Sequence, residues 1–117
     1  MGSAILGDLH VLDGDSMVWR ALDGRPASNV RDLPAPVHGA GLAAAAAKLW
    51  LFGGQSGRTC KNTLHSFDLT THAWSLVAGS GVAPKARGGH SMTCLSGARC
   101  MVVWGGHGKR HYNDMHR

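Results

Sequence analysis

Two short apolar runs end on paired glycines, Lys48-Leu49-Trp50-Leu51-Phe52-Gly53-Gly54 and Arg99-Cys100-Met101-Val102-Val103-Trp104-Gly105-Gly106, and the glycine pairs stand 52 residues apart. A run of five to seven apolar residues that stops at glycine has the length of a strand and the stop signal of a turn. Around these runs other segments recur. Asp8-Leu9-His10-Val11-Leu12-Asp13, a turn cluster Asp13-Gly14-Asp15-Ser16, and Met17-Val18-Trp19-Arg20-Ala21-Leu22 form one hairpin pattern. Thr63-Leu64-His65-Ser66-Phe67-Asp68, the turn Leu69-Thr70-Thr71-His72 and Ala73-Trp74-Ser75-Leu76-Val77 repeat it, with Leu9, His10, Asp13 and Trp19 matched by Leu64, His65, Asp68 and Trp74 at an offset of 55 residues. Asn113-Asp114-Met115-His116 starts a third copy, 51 residues after Leu64 and His65. Self-similarity with a period near 50 residues constrains the fold more than any local propensity, because each copy must form the same supersecondary unit.

The hairpins are separated by Pro/Gly-rich segments, Asp23 to Pro36 and Gly79 to Arg87, which read as loops because proline lacks the amide that a sheet ladder needs. Each is followed by a strand of small residues, Val37 to Ala45 in one copy and Gly88 to Leu95 in the other. One conflict arises: Ala43 to Ala47 with Lys48, Leu49 and Leu51 favour helix on intrinsic propensity. The glycines on both sides confine any helix to a marginal length of about 12 residues, and the repeat register places a strand there.

The combination Leu49-Trp50-Leu51-Phe52-Gly53-Gly54, Asn62-Thr63-Leu64-His65-Ser66-Phe67-Asp68, Trp74 and Pro84-Lys85-Ala86-Arg87-Gly88-Gly89-His90-Ser91 resembles kelch-repeat proteins over nearly the whole chain. The resemblance implies an all-β fold of kelch-type β-propeller blades, each a four-stranded sheet. It also implies scaffold roles for Gly53, Gly54, Trp74, Arg87, His90, Gly105, Gly106 and Trp19. The first copy departs from the pattern: Pro36-Val37-His38-Gly39-Ala40 stands where the family has Arg-x-Gly-His-Ser, and Asn62-Thr63 stands for Asn-Asp, so weaker polar contacts between blades are expected there. On this alignment His10, His65 and His116 share one repeat position and His38 and His90 share another. Trp19 and Trp74, on equivalent outer strands, are expected to fill the space between blades.

The chain starts and ends at the same phase of the repeat. Residues 1–117 read as a kelch-repeat segment in which 8–22 are the last two strands of one blade, 37–78 a complete blade and 88–117 the first strands of the next. One complete blade flanked by two half blades is an incomplete propeller, since rings of this kind close with about four to eight blades. Either further blades belong to a longer parent chain, the preferred reading, or copies assemble as a homo-oligomer that completes the ring.

Charge narrows the function classes. Twelve Lys and Arg against seven Asp and no Glu give a net charge of +5, which suits an acidic partner. The basic residues are scattered, with only Lys109-Arg110 adjacent, so nucleic acid is not expected. Nothing has the length of a signal peptide or a membrane span, so the expectation is a cytoplasmic protein with no membrane partner. Cys60, Cys94 and Cys100 are an odd set with no CxxC pair, unlike a disulfide framework or a zinc site.

Eight histidines raise the question of a metal, above all His107, His111 and His116, but repetition accounts for the recurring ones without it. Resemblance to copper-dependent kelch-type oxidases would imply a Tyr-Cys cofactor, and Tyr112 is the one tyrosine. A thiol nucleophile at Cys60 would need a base and an orienting group. Gly54-Gln55-Ser56-Gly57-Arg58-Thr59 lacks the order of a P-loop, and no paired carboxylates or Ser-His-Asp pattern occurs. No cofactor, no metal and no catalytic residue are therefore expected.

The expected function is a protein–protein interaction scaffold whose inter-strand loops bind a partner protein. The loops following the two Gly-Gly pairs carry Arg58 and Lys61 in one copy and His107, Lys109, Arg110 and Tyr112 in the other, which predicts an acidic peptide or protein surface. The alternative is a part of a larger kelch-type enzyme, an oxidase or other, with its catalytic residues outside this chain. A lectin-like ring is a third, weaker reading.

Overall fold

A computed structural model describes residues 6–95, 100–108 and 115–116. The strands are β1 (Leu9–Leu12), β2 (Trp19–Leu22), β3 (Arg25–Pro26), β4 (Gly41–Ala45), β5 (Lys48–Phe52), β6 (Gln55–Ser56), β7 (Thr59–Cys60), β8 (Leu64–Asp68), β9 (Ala73–Val77), β10 (Ser91–Leu95), β11 (Cys100–Trp104) and β12 (Met115–His116), with one 3-10 turn at Val30–Asp32. The fold is all-β, and the sheets of the described residues form an open array of blades, not a closed ring. The central sheet has the order β3-β9-β8-β5-β4, antiparallel except for β3, flanked by the hairpin β1-β2 and the sheet β10-β11-β12.

The repeat is literal in three dimensions. Leu9 pairs with Leu22 and Leu12 with Trp19, as Leu64 pairs with Val77 and Phe67 with Trp74. Asp13 accepts from the amides of Asp15 and Ser16 at 2.9 and 3.1 Å, and Asp68 from those of Thr70 and Thr71 at 2.8 and 3.1 Å. Each turn ends on a residue with positive φ, Met17 at 60° and His72 at 58°. A short carboxylate that folds back on its own turn explains why aspartate opens both.

Ala43 to Ala45 are strand, as the repeat register requires, and the hairpin closes through Ala46 and Ala47 at φ 54° and 59°. Positive φ at both central residues is the geometry of a two-residue I′ turn, normally built from Asn and Gly. In the next blade Leu95 pairs with Cys100, so four residues replace these two. That insertion shifts the repeat offset from 50 residues at Gly39/Gly89 to 52 at Gly53/Gly105.

Three expectations are corrected. Asp23 to Pro36 is not purely loop: β3 adds to the outer edge of β9 in parallel register. The Arg25 and Ala27 amides donate to the carbonyls of His72 and Trp74 at 3.1 and 2.9 Å, so the nitrogen of Pro26, between them, faces away and its missing hydrogen costs nothing. Secondly, His38 does not share a position with His90. His38 bridges Gln55 as Gly88 bridges His107, and Gly39 and Gly89 share φ of 68° and 69°, which puts Ala40 at the place of His90 and Val37 at that of Arg87. Pro36-Val37-His38-Gly39-Ala40 is thus one residue out of step with Arg87 to Ser91. Thirdly, among the described residues Trp19 fills no inter-blade space and is 66% exposed, whereas Trp74 is 9% exposed. Trp74 packs on Phe67, with ring centroids 5.0 Å apart, and beneath Gly24.

Candidate functional site

The junction between the central blade and the next is built from residues of the two glycine-paired segments. His90 is 8% exposed, and its Nε2 lies 2.8 Å from the Phe52 carbonyl and 3.1 Å from the Gly41 amide. One tautomer donates to the carbonyl and the other accepts from the amide, while Nδ1 is buried with no partner. Burial pushes the His90 pKa down despite the Phe52 carbonyl, because a charged ring would lose its hydration here. Gly53 explains the close seat: a Cβ there would meet His90 Cε1 at 2.7 Å and the Arg87 carbonyl at 2.9 Å, and its φ is 71°.

Arg87 is fully buried. Its Nε donates to the Lys85 carbonyl and its Nη1 to the Gly105 carbonyl, both at 3.0 Å. Its own backbone joins the blades: the Gly54 amide donates to the Arg87 carbonyl at 2.8 Å and the Arg87 amide to the Lys61 carbonyl at 3.1 Å. The Gly89 amide donates to the Gly39 carbonyl at 2.7 Å, closing the seam between the two inner strands. Gly106 abuts the same region, where a Cβ would stand 2.7 Å from the Gly88 carbonyl. The buried polar groups are thus spent on positioning loops.

The loops that follow each glycine pair emerge from this seam side by side. Gln55 to Cys60 fold into the small hairpin β6-β7, with Arg58 exposed at its turn. Cys60 Sγ lies 3.8 Å from the His107 carbonyl of the next blade, so two loops 47 residues apart in sequence meet on one rim. His107 is exposed there, and its backbone is held by Gly88 through reciprocal 2.8 Å bonds. Lys61 is half-buried rather than at the tip. With Arg31, Leu33, Thr63, His65 and Leu76 it lines a cavity of about 220 Å³. His65 is 6% exposed; burial lowers its pKa, opposed by the Arg31 backbone and the Asp32 carboxylate. Lys109, Arg110 and Tyr112 lie outside the described residues, as does the side chain of His116. Among the described residues no three His, Cys, Asp or Glu side chains come together in a metal-binding group.

A larger cavity of about 480 Å³ opens between the central and following blades, lined by Phe52, Leu64, Val77, Pro84, Met92 and Val103. Its walls are predominantly apolar, the character of an inter-blade core.

The sequence profile of the KLHDC2/KLHL20/DRC7 Kelch-repeats domain matches residues 2–117. The chain belongs to the kelch-repeat family. It is 39% identical over 108 residues to Acyl-CoA-binding domain-containing protein 5 of Arabidopsis thaliana, covering 91% of this chain and 16% of that protein. It is 40% identical over 106 residues to Acyl-CoA-binding domain-containing protein 4 of the same plant, covering 91% of this chain and 15% of the relative. Kelch domain-containing protein 3 of Bos taurus is 32% identical over 118 residues, covering 94% of this chain and 30% of the relative. This kelch segment therefore spans less than a third of the length of these relatives.

Kelch geometry accounts for residues that the sequence reading passed over. Gly24 sits where a Cβ would stand 2.3 Å from Trp74 Nε1. Asp32 accepts from the Leu76 amide at 2.9 Å and from Ser28 and Asn29 at 2.8 and 3.1 Å, and these bonds hold its pKa down. The signal for both was available, since Gly-x-Pro followed by Asn-x-x-Asp is a turn and capping pattern, but it lies in a segment whose prolines argued for loop. Among the described residues no helix is long and apolar enough to cross a membrane.

Proposed function

We propose that this kelch segment is a protein-interaction scaffold, not an enzyme, acting in the cytoplasm and presenting the adjoining loops after Gly54 and Gly106 to a partner protein with an acidic surface. The observation that carries the reading is the meeting of Cys60 with the His107 backbone, which joins the two loops on one rim while leaving Arg58 and His107 exposed. Residues 55–60 and 107 of this rim are held by backbone bonds and are pre-organised, so little ordering cost is added there when a partner binds. Membership of the kelch family supports the reading at the level of function class. Free thiols at Cys60 and Cys94 accord with a reducing compartment.

The test is capture of an acidic peptide library by the wild-type chain and by Arg58→Glu, alone and combined with Lys109→Glu and Arg110→Glu. Retained capture with a steep salt dependence in the wild type, and at least a tenfold loss in the combined variant, supports the rim. Equal capture by both proteins, with unchanged circular dichroism, refutes it.

A further inference from the structure

Val37 and Arg87 hold the same repeat position, and the exchange of side chain leaves a cavity beside the valine. In the later copy the Arg87 guanidinium donates through Nε to the Lys85 carbonyl and through Nη1 to the Gly105 carbonyl, both at 3.0 Å. Shifted back by the offsets of 50 and 52 residues, those two acceptors become Ala35 and Gly53. Both line the cavity of about 220 Å³ described above, together with Val37 itself. A valine side chain is too short to occupy the space that an arginine fills, so the volume follows from position 37. The whole wall comes from the central blade and the linker leading into it, between Arg31 and Leu76.

A second exchange accompanies the first. The later copy reads Asn113-Asp114-Met115-His116 and the central one Asn62-Thr63-Leu64-His65, so a hydroxyl stands where the other repeat carries a carboxylate. Two cations are peculiar to this copy. Gly81 stands at the place of Arg31, and Tyr112 or Asn113, by either offset, at that of Lys61. Lys61, Arg31, Thr63 and His65 all line the cavity, and no Asp or Glu does. Asp32, beside Arg31 in the chain, is committed to the amides of Ser28, Asn29 and Leu76. His65, 6% exposed, bonds to the Arg31 backbone and so fixes the turn that brings Arg31 to the wall. Cations gathered in a partly enclosed space with no lining carboxylate attract an anion more strongly than the same charges spread over a surface. The cavity has the volume of about seven waters at roughly 30 Å³ each, room for a small hydrated ion.

We propose that this cavity binds a phosphate-sized tetrahedral oxyanion, with the Lys61 ammonium and the Arg31 guanidinium as charged donors and the Thr63 hydroxyl as a neutral one. The guanidinium offers paired N–H groups to two oxygens, and the ammonium supplies a point charge to a third. The site is separate from the rim of Arg58 and His107 and does not depend on it. It gives the half-buried Lys61 a role of its own.

The experiment titrates inorganic phosphate into the full chain by calorimetry, at an ionic strength held constant with sodium chloride. One-to-one saturable binding is expected, with affinity falling about tenfold or more in Lys61→Gln, where one charged donor is lost. Val37→Met fills the cavity without touching its charges and should weaken binding to a similar extent. Arg20→Gln, which removes an exposed cation on β2, should leave the affinity unchanged. Far-ultraviolet circular dichroism checks each fold, and should Val37→Met unfold, Thr63→Val takes its place, with a smaller loss expected. Absence of saturable binding by the wild-type chain overturns the proposal. So does an affinity that Lys61→Gln leaves intact, or one that Arg20→Gln lowers as much as Lys61→Gln, the mark of unspecific charge attraction.

Discussion

The hairpin between β4 and β5 offers a test in which the sign of the effect separates two structures. Ala46 and Ala47 sit at φ 54° and 59°, a region that costs an L-residue with a Cβ on the order of 1–2 kcal/mol. Replacing them by Ala46→Asn and Ala47→Gly installs the pair that an I′ turn prefers. Part of the gain is offset by the greater freedom of glycine in the unfolded chain, about 0.5–1 kcal/mol, leaving a net stabilisation of about 1–2 kcal/mol for the pair. The Leu69 amide keeps its 3.2 Å bond to the carbonyl of residue 47, because no backbone group changes. With a urea slope of about 1–2 kcal/mol per molar, the midpoint should rise by roughly 1 M. If residues 43–47 were helical instead, glycine and asparagine would each cost stability, about 1 and 0.6 kcal/mol, and the midpoint would fall. A midpoint that falls or stays put, with unchanged far-ultraviolet circular dichroism, refutes the left-handed turn.

Other substitutions probe the seam. Gly53→Ala forces a methyl against His90 and the Arg87 carbonyl at positive φ, so a loss of about 2 kcal/mol or more is expected in urea unfolding. Arg87→Met removes the donor to the Gly105 carbonyl and should cost about 2–3 kcal/mol, with faster hydrogen exchange at the amides of Gly54 and Gly88 as the local readout. Trp74→Ala should cost about 3–5 kcal/mol and Trp19→Ala less than about 0.5 kcal/mol, measured side by side by thermal unfolding. His65 and His90 both have pKa values lowered by folding, so the stability they contribute is complete above the ordinary value of 6.5 and is lost as the pH falls from there through the lower folded values. The urea midpoint should therefore drop on acidification below pH 6.5, and His90→Asn should flatten the drop.

Where sequence sufficed, a repeated local device was at work. The hairpin β8-β9 was legible because Asp68 makes its turn from its own side chain and because alternate residues face different neighbours. The propeller class was legible because the glycine pairs recur, and the model of a strand through Ala43 to Ala45 rested on that recurrence against propensity. What was not legible depended on groups distant in sequence. His38 passed for a counterpart of His90 because the turns inside the repeat differ in length, so no single offset aligns two copies. Trp19 passed for a buried residue because its pattern matches Trp74, yet burial at Trp74 comes from Gly24, fifty residues before it. The rim was legible only as two separate loops; their contact through Cys60 and His107 appears in no local pattern.

The parallel pairing of β3 with β9 carries a mechanical consequence. In a parallel pair, tension applied to the start of one strand and the end of the other slides the two past each other along their common axis. The Arg25, Ala27 and Leu76 hydrogen bonds are then loaded simultaneously instead of being unzipped in turn. A chain drawn toward its two ends would find this segment acting as a shear clamp on the blade, holding the antiparallel strands behind it until all three bonds give way together.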